Sequence, residues 1–145
     1  MKLRKADLTR GDYETFKRMH LQFRYAELNA AQELERKAVI KNYEDYYEYA
    51  QKEWIYFAVK DGEEVGYVVL TAYEDMTVKL EEVYIRKDCQ RKGHGKKFVK
   101  KIVEFLKENG MKKVEVFSAT MATDYFWAEC RFRSVGGSEM FEYVI

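Results

Sequence analysis

Apolar residues recur along the chain with two periods, and each switch between them marks an element boundary. Residues 2–8 read as a short strand, and Gly11 with Asp12 as a turn and N-cap before a helix. From Tyr13 to about Leu28, the residues Phe16, Met19, Phe23 and Ala26 fall three or four apart, one apolar stripe on an otherwise charged helix. A second helical stretch spans about Ala30 to Gln51, where Asn42 and Asp45 can act as an internal cap and divide it in two. Trp54–Lys60, Glu64–Ala72 and Val78–Arg86 then read as strands, the first two joined by the tight-hairpin pair Asp61-Gly62. Phe98, Val99, Ile102, Val103 and Leu106 return to helical spacing until Asn109-Gly110 ends the run. Lys113–Ser118 alternates as a strand, Ala122–Cys130 reads as a helix, and Phe132–Ile145 as a hairpin around Gly136-Gly137. The order predicts an α+β fold.

Composition narrows the class. The 145 residues suit a single domain, and with no proline, linker or repeat we treat 1–145 as continuous. A content of 47% hydrophobic and 35% charged residues excludes disorder. The net charge of +1 gives no global field for a nucleic acid or a membrane, so any electrostatic function must come from local clustering. No apolar run reaches transmembrane length and MKLRKADLTRGD lacks an apolar leader, so the expected location is cytoplasmic. Cys89 and Cys130 have no metal-ligand spacing and read as free thiols; His20 and His94 likewise have no partner at metal spacing, so no metal is expected.

The local clustering is at VYIRKDCQRKGHGKKFVKKIVEFL, a strand, a glycine-containing turn and a helix. Between Arg86 and Lys101 eight basic residues stand against the single acid Asp88. Gly93 and Gly95 permit positive φ and close approach of a ligand, so successive backbone N–H groups can converge on an anion, assisted by the helix N-terminus. A polyphosphate suits such a turn. Dinucleotide and P-loop fingerprints fail, because GHGKKF places Phe98 at the third glycine of GxGxxG and no GxxxxGK[ST] exists. The bland alternative is a tight turn followed by a solvated lysine face.

Gln90, Gly93 and Gly95 match [QR]xxGx[GA], and in this the segment resembles the acetyl-CoA motif of the GCN5-related N-acetyltransferase (GNAT) superfamily. Val83-Tyr84-Ile85 stands five residues upstream, where that family ends its fourth strand, and the element order along the whole chain is similar to the family's. The resemblance implies a GNAT-like α/β/α fold, a mixed and mostly antiparallel sheet of about six to seven strands with about four helices. It implies acetyl-CoA as co-substrate and an amine as acceptor, a small molecule being the leading reading and a protein amine the alternative. Main-chain amides from Gln90 through Arg91, Lys92, Gly93, His94 and Gly95 to Lys96 would bind the pyrophosphate, and the backbone of Val83 and Ile85 would pair with pantetheine.

Attack on a thioester needs an aligned neutral amine, a base and oxyanion stabilisation, but no nucleophilic cysteine. Alternation along the strand puts Glu82, Tyr84 and Arg86 on one face and Val83 and Ile85 on the other, which should be core. Glu82 is the candidate general base and Tyr84 a candidate orienter of the acceptor; the alternative for Glu82 is a solvated or ion-paired side chain. Many family members carry a tyrosine on the last helix, within N..A..(F/L)YxxxGF, as general acid for the thiolate. The aligned segment TMATDYFWAECRF places Trp127 at that tyrosine and Thr120 at the asparagine, both candidates for cofactor contact, with Arg131 at the glycine. Tyr125, two residues earlier, points about 200° away on a helix. Either water protonates the departing thiolate, or the chain is an acyl-CoA-binding module with little turnover. A third reading, nucleic-acid binding by the lysines of residues 96–101, conflicts with the near-zero net charge.

By the resemblance, Tyr25–Gln51 and Gly136–Tyr143 wall the acceptor site. There NYEDYYEYAQKEW interleaves tyrosines and acids that can hold a cationic amine, or else form an amphipathic helix with inward tyrosines. Homodimers are common in the family, and the sequence specifies no interface.

Overall fold

The structure, a computed structural model, describes residues 1–25, 39–118, 121–137 and 139–145. Among them seven strands form one sheet in the order β1-β2-β3-β4-β5-β7-β6. β1 (Lys2–Lys5), β2 (Ile55–Lys60), β3 (Glu63–Ala72) and β4 (Thr77–Ile85) form an antiparallel meander. β5 (Lys113–Phe117) runs parallel to β4, and β7 (Met140–Val144) lies antiparallel between β5 and β6 (Arg133–Ser134). The helices are α1 (Arg10–Tyr25), α2 (Tyr43–Gln51), α3 (His94–Glu108) and α4 (Met121–Glu129).

Local chemistry sets these boundaries. The cap of α1 is Thr9 rather than Asp12: the Asp12 N–H donates to Thr9 Oγ1 at 3.2 Å. Asp12 itself turns back, because the Arg4 guanidinium reaches both of its carboxylate oxygens, at 2.8 and 3.0 Å, and the Asp7 N–H donates at 2.7 Å. Burial alone would raise the Asp12 carboxyl, but the Arg4 and Asp7 bonds hold it below its ordinary range. α2 starts where Asn42 Oδ1 accepts the Asp45 N–H at 2.8 Å while Asp45 Oδ2 accepts that of Lys41 at 2.9 Å. The expected helix upstream of this cap falls largely in residues 26–38, outside the described ones. Asp61 and Gly62 both take positive φ, 52° and 77°, as a two-residue hairpin of matching twist requires.

Helices cover both faces of the sheet, so there are two cores. α1 and α2 bury Phe16, Met19, Tyr46 and Ala50 against Ile55, Phe57, Tyr67, Val69 and Tyr84. α3 and α4 bury Phe98, Val99, Ile102, Leu106 and Trp127 against Val68, Leu70, Val78, Leu80 and Ile85. Each such side chain contributes about 1.5–3 kcal/mol relative to exposure, so Ile102→Asp would unseat α3.

A break in register decides what β4 presents to each core. Val69 pairs with Glu82 but Leu70 with Leu80, leaving Glu81 as an extra residue in β4. The extra residue inverts the alternation: Val78 and Leu80 face the α3–α4 layer, whereas Glu82 and Tyr84 face α1. The pairing with β5 also stops there, at Leu80 opposite Val116.

Candidate active site

Beyond Leu80, β4 continues to Ile85 without a partner on its β5 side. The Arg86 N–H donates to Val65 O at 2.7 Å, so by alternation the amides of Glu82, Tyr84 and Arg86 face β3 and those of Val83 and Ile85 face the gap. Ile85 O is engaged by the Gln90 side chain, whose Nε2 donates at 2.7 Å. The glutamine thus pins the turn onto the strand that precedes it.

The turn consists of a single 3₁₀ turn, Lys87–Cys89, an extended Gln90, and Arg91 and Gly93 at positive φ of 61° and 79°. Two expectations are corrected here. The Gln90 amide is taken by Lys87 O at 3.4 Å and belongs to the 3₁₀ turn. Gly95 lies inside α3 without positive φ, and its lack of a side chain instead admits Phe126 of α4, whose ring would lie 3.1 Å from an added Cβ. Gly93 alone supplies the left-handed glycine, with nothing within 4 Å of an added Cβ. The Lys97 N–H donates to Gly93 O at 3.4 Å. Among the described residues no acceptor meets the amides from Arg91 to Lys96, which leaves a run of main-chain donors at the positive end of the α3 dipole.

Arg91, Lys92, Lys96 and Lys97 surround this junction, with the lysines exposed and Lys96 paired to Glu129 of α4. His94 is buried, and its Nδ1 has no partner. Loss of hydration, then the charges of Lys60, Lys97, Lys92 and the N-terminal amine, lower its pKa and favour the neutral ring.

On the α1 face Glu82 is buried rather than lining an open groove, being 6% exposed. Tyr67 Oη donates to Glu82 Oε1 at 2.8 Å, and His20 Nε2 approaches the same oxygen to 3.1 Å. The distance suits an ion pair, yet the ring nitrogen lacks the alignment of a hydrogen bond. Burial, then the Glu82 charge and hydrogen bond, raise the Tyr67 phenol well above its ordinary value, so it remains a donor. Glu82 Oε2 has no partner among the described residues. Tyr84 packs edge-on to Phe23, and its hydroxyl lies 3.5 Å from Gln22 Oε1, which also accepts the Lys87 N–H at 3.1 Å. Arg86 lies just past the strand, paired with Glu63 and Asp88.

α4 is anchored by Ser118, which is buried and hydrogen-bonds Thr123 and Asp124. Trp127 is 6% exposed and packs on Phe126 and Phe132, ring centroids 5.0 Å from each. Tyr125 points to solvent, 69% exposed. Thr120 lies outside the described residues. In α2, Tyr46 is fully buried, and the Tyr43 face is covered by the Arg10 guanidinium at 3.8 Å, so that ring is not free for an amine.

Sequence reasoning assigned nothing to His20, Tyr67, Gln22 or Ser118. His20 had a signal: four residues after Phe16 it falls on the apolar stripe of α1, where a titratable residue needs a partner. Among the described residues no group of His, Cys, Asp and Glu is placed to hold a metal ion, and no helix is long and apolar enough to cross a membrane.

An α+β sheet split at one strand end, with amides beside the split that have no acceptor among the described residues, is what the geometry gives. The profile of the acetyltransferase (GNAT) family matches residues 21–132, and the chain belongs to that family of acetyl-CoA-dependent acyltransferases. No curated protein sequence matches it. Among solved structures it is similar to a PaiA N-acetyltransferase from Thermoplasma acidophilum in complex with coenzyme A, at 16% identity and a TM-score of 0.77, covering 99% of this chain and 98% of that one. A GNAT-family acetyltransferase from Staphylococcus aureus gives 14% identity and 0.74, with 99% and 98% covered. A ribosomal-protein-alanine N-acetyltransferase from Brucella melitensis gives 14% and 0.74, with both chains fully covered. These likenesses bear out the expected fold.

Proposed function

We propose that residues 1–145 form one N-acetyltransferase domain that binds acetyl-CoA across the β4–β5 split and transfers its acetyl group to an amine of a small molecule. The carrying observation is the run of amides from Arg91 to Lys96 without acceptors among the described residues, beside the open strand edge of Val83 and Ile85. A diphosphate satisfies the first and an extended amide-bearing arm the second. Neighbours of the same fold include complexes with coenzyme A, which supports this reading.

Glu82 serves as general base: one carboxylate oxygen is held by Tyr67, and the other, also buried, has no hydrogen-bond partner among the described residues and so keeps its acceptor capacity. The base takes the amine proton as the C–N bond forms and the C–S bond breaks, and water protonates the departing thiolate. Tyr84, on the same face one turn of the pleat away, orients the acceptor. A cytoplasmic location fits this co-substrate.

The test is CoA release from acetyl-CoA over a panel of amines, beside a melting curve with and without CoA. Binding raises the melting temperature. A chain neither stabilised by CoA nor releasing it would defeat the proposal. One observation favours a second reading. Trp127 is packed into the core where a tyrosine would supply an acid, and an acyl-CoA-binding module with negligible turnover would show stabilisation without CoA release.

A further inference from the structure

We propose that His20 is the positioning residue of Glu82, an inference that rests on the reading of Glu82 as the base. Three elements meet at this carboxylate. β3 brings Tyr67, fully buried, and α1 brings His20, 4% exposed; both direct a polar atom at Oε1 and leave Oε2 without a partner. A buried carboxylate that served packing alone would have both oxygens satisfied, because an unpaired one loses its hydration without return. The asymmetry leaves Oε2 as the oxygen with acceptor capacity to spare.

His20 is itself held in place. Its ring stacks on Phe16 at 5.0 Å and 18°, and on Phe23 at 6.2 Å and 25°, so its plane is set by two phenyl neighbours on the same helix. The misalignment of Nε2 with Oε1 is a matter of tilt at a 3.1 Å separation, and catalytic hydrogen bonds commonly tighten only when substrate completes the site. The ring also lines a cavity of about 50 Å³ between α1 and residues 40–42. Among the described residues the ionisable groups around it are Glu82, Tyr67, Tyr13, Lys17, Arg24 and Lys41.

The experiment compares His20→Phe, His20→Gln, Glu82→Gln and the double variant His20→Phe/Glu82→Gln. CoA release is read with benzylamine, a linear diamine, an alanine-terminated peptide and water as acceptors. Phenylalanine keeps the stack and loses Nε2; glutamine keeps a donor. The expected result for His20→Phe is a kcat lower by roughly tenfold to a hundredfold, part of what a general base supplies, with KM for acetyl-CoA changed less than about twofold. His20→Gln should recover part of the loss, and His20→Phe should add nothing in the Glu82→Gln background. Full activity of His20→Phe beside an inactive Glu82→Gln overturns the inference and leaves the base standing. An active Glu82→Gln, or no CoA release with any acceptor, removes the base and this inference with it. A readout free of turnover is the imidazole ¹⁵N spectrum, since the chain has 2 histidines. Glu82→Gln should move the His20 resonances and leave those of His94, and unmoved His20 resonances would sink the proposal.

Discussion

Replacing Gly93 by valine tests the proposed phosphate-binding junction through one backbone angle. Gly93 has φ of 79°, and an added Cβ would meet nothing within 4 Å, so crowding plays no part and only the left-handed conformation opposes a side chain. That conformation costs a non-glycine residue about 1–2 kcal/mol. Little holds the junction to its shape, since Gly93 has no side-chain cap and its carbonyl accepts one long bond from Lys97. The valine variant should therefore relax out of the left-handed region and scatter the amides of residues 91–96. Restoring them on binding lowers CoA affinity by the factor that 1–2 kcal/mol represents, about 5–30. Gly93→Asn is the matched control, because asparagine enters this region several-fold more readily than other side chains, and it should stay near wild type. Titration calorimetry with CoA gives both dissociation constants. Valine and asparagine variants that both bind CoA as the native chain does would refute the assignment of the turn.

Glu82→Gln should lower turnover by about 10²–10⁴ while leaving CoA-induced stabilisation intact, as paired initial-rate and melting measurements would show. Gly95→Leu should displace the Phe126 ring, lowering the melting temperature and weakening CoA together, read in one melting series with and without ligand. The Asp12 carboxyl is depressed in the fold, so its stabilisation is complete above the unfolded value of 3.8 and is lost as pH falls below it toward the folded value; Asp12→Asn should flatten the loss of stability below pH 3.8 in acid melts. Burial pushes the Cys130 thiol up to about 11, so alkylation near pH 8 followed by peptide mapping should mark Cys89 well before Cys130.

The fold was legible where side-chain period and turn chemistry agreed. Asp61-Gly62 announced its hairpin, Asn42 and Asp45 their cap, and Asn109-Gly110 the end of α3, because each acts through neighbours in sequence. The cap of α1 was misread for the opposite reason: Asp12 is drawn off by Arg4, on β1, and only tertiary structure brings the two together. In the site, the amide run came from a local motif and was legible, with Gln90 and Gly95 serving different ends from those expected. The surroundings of Glu82 were not legible. His20 and Tyr67 reach it from 62 and 15 positions away along the chain, and no local pattern encodes such a meeting.

The additional residue at Glu81 makes chain length at this point matter more than residue type. Glu81 side-chain contacts are modest, with Thr71 and Lys79, and other polar residues could stand there. Its deletion would instead make Leu80 and Glu82 neighbours in an unbroken ladder against Leu70 and Val69, with Glu82 still facing α1, and would remove the irregularity at which the pairing with β5 stops. A single extra peptide unit thereby marks the point where β4 parts from β5, so substitution at Glu81 should be tolerated where excision, which removes the parting, is not.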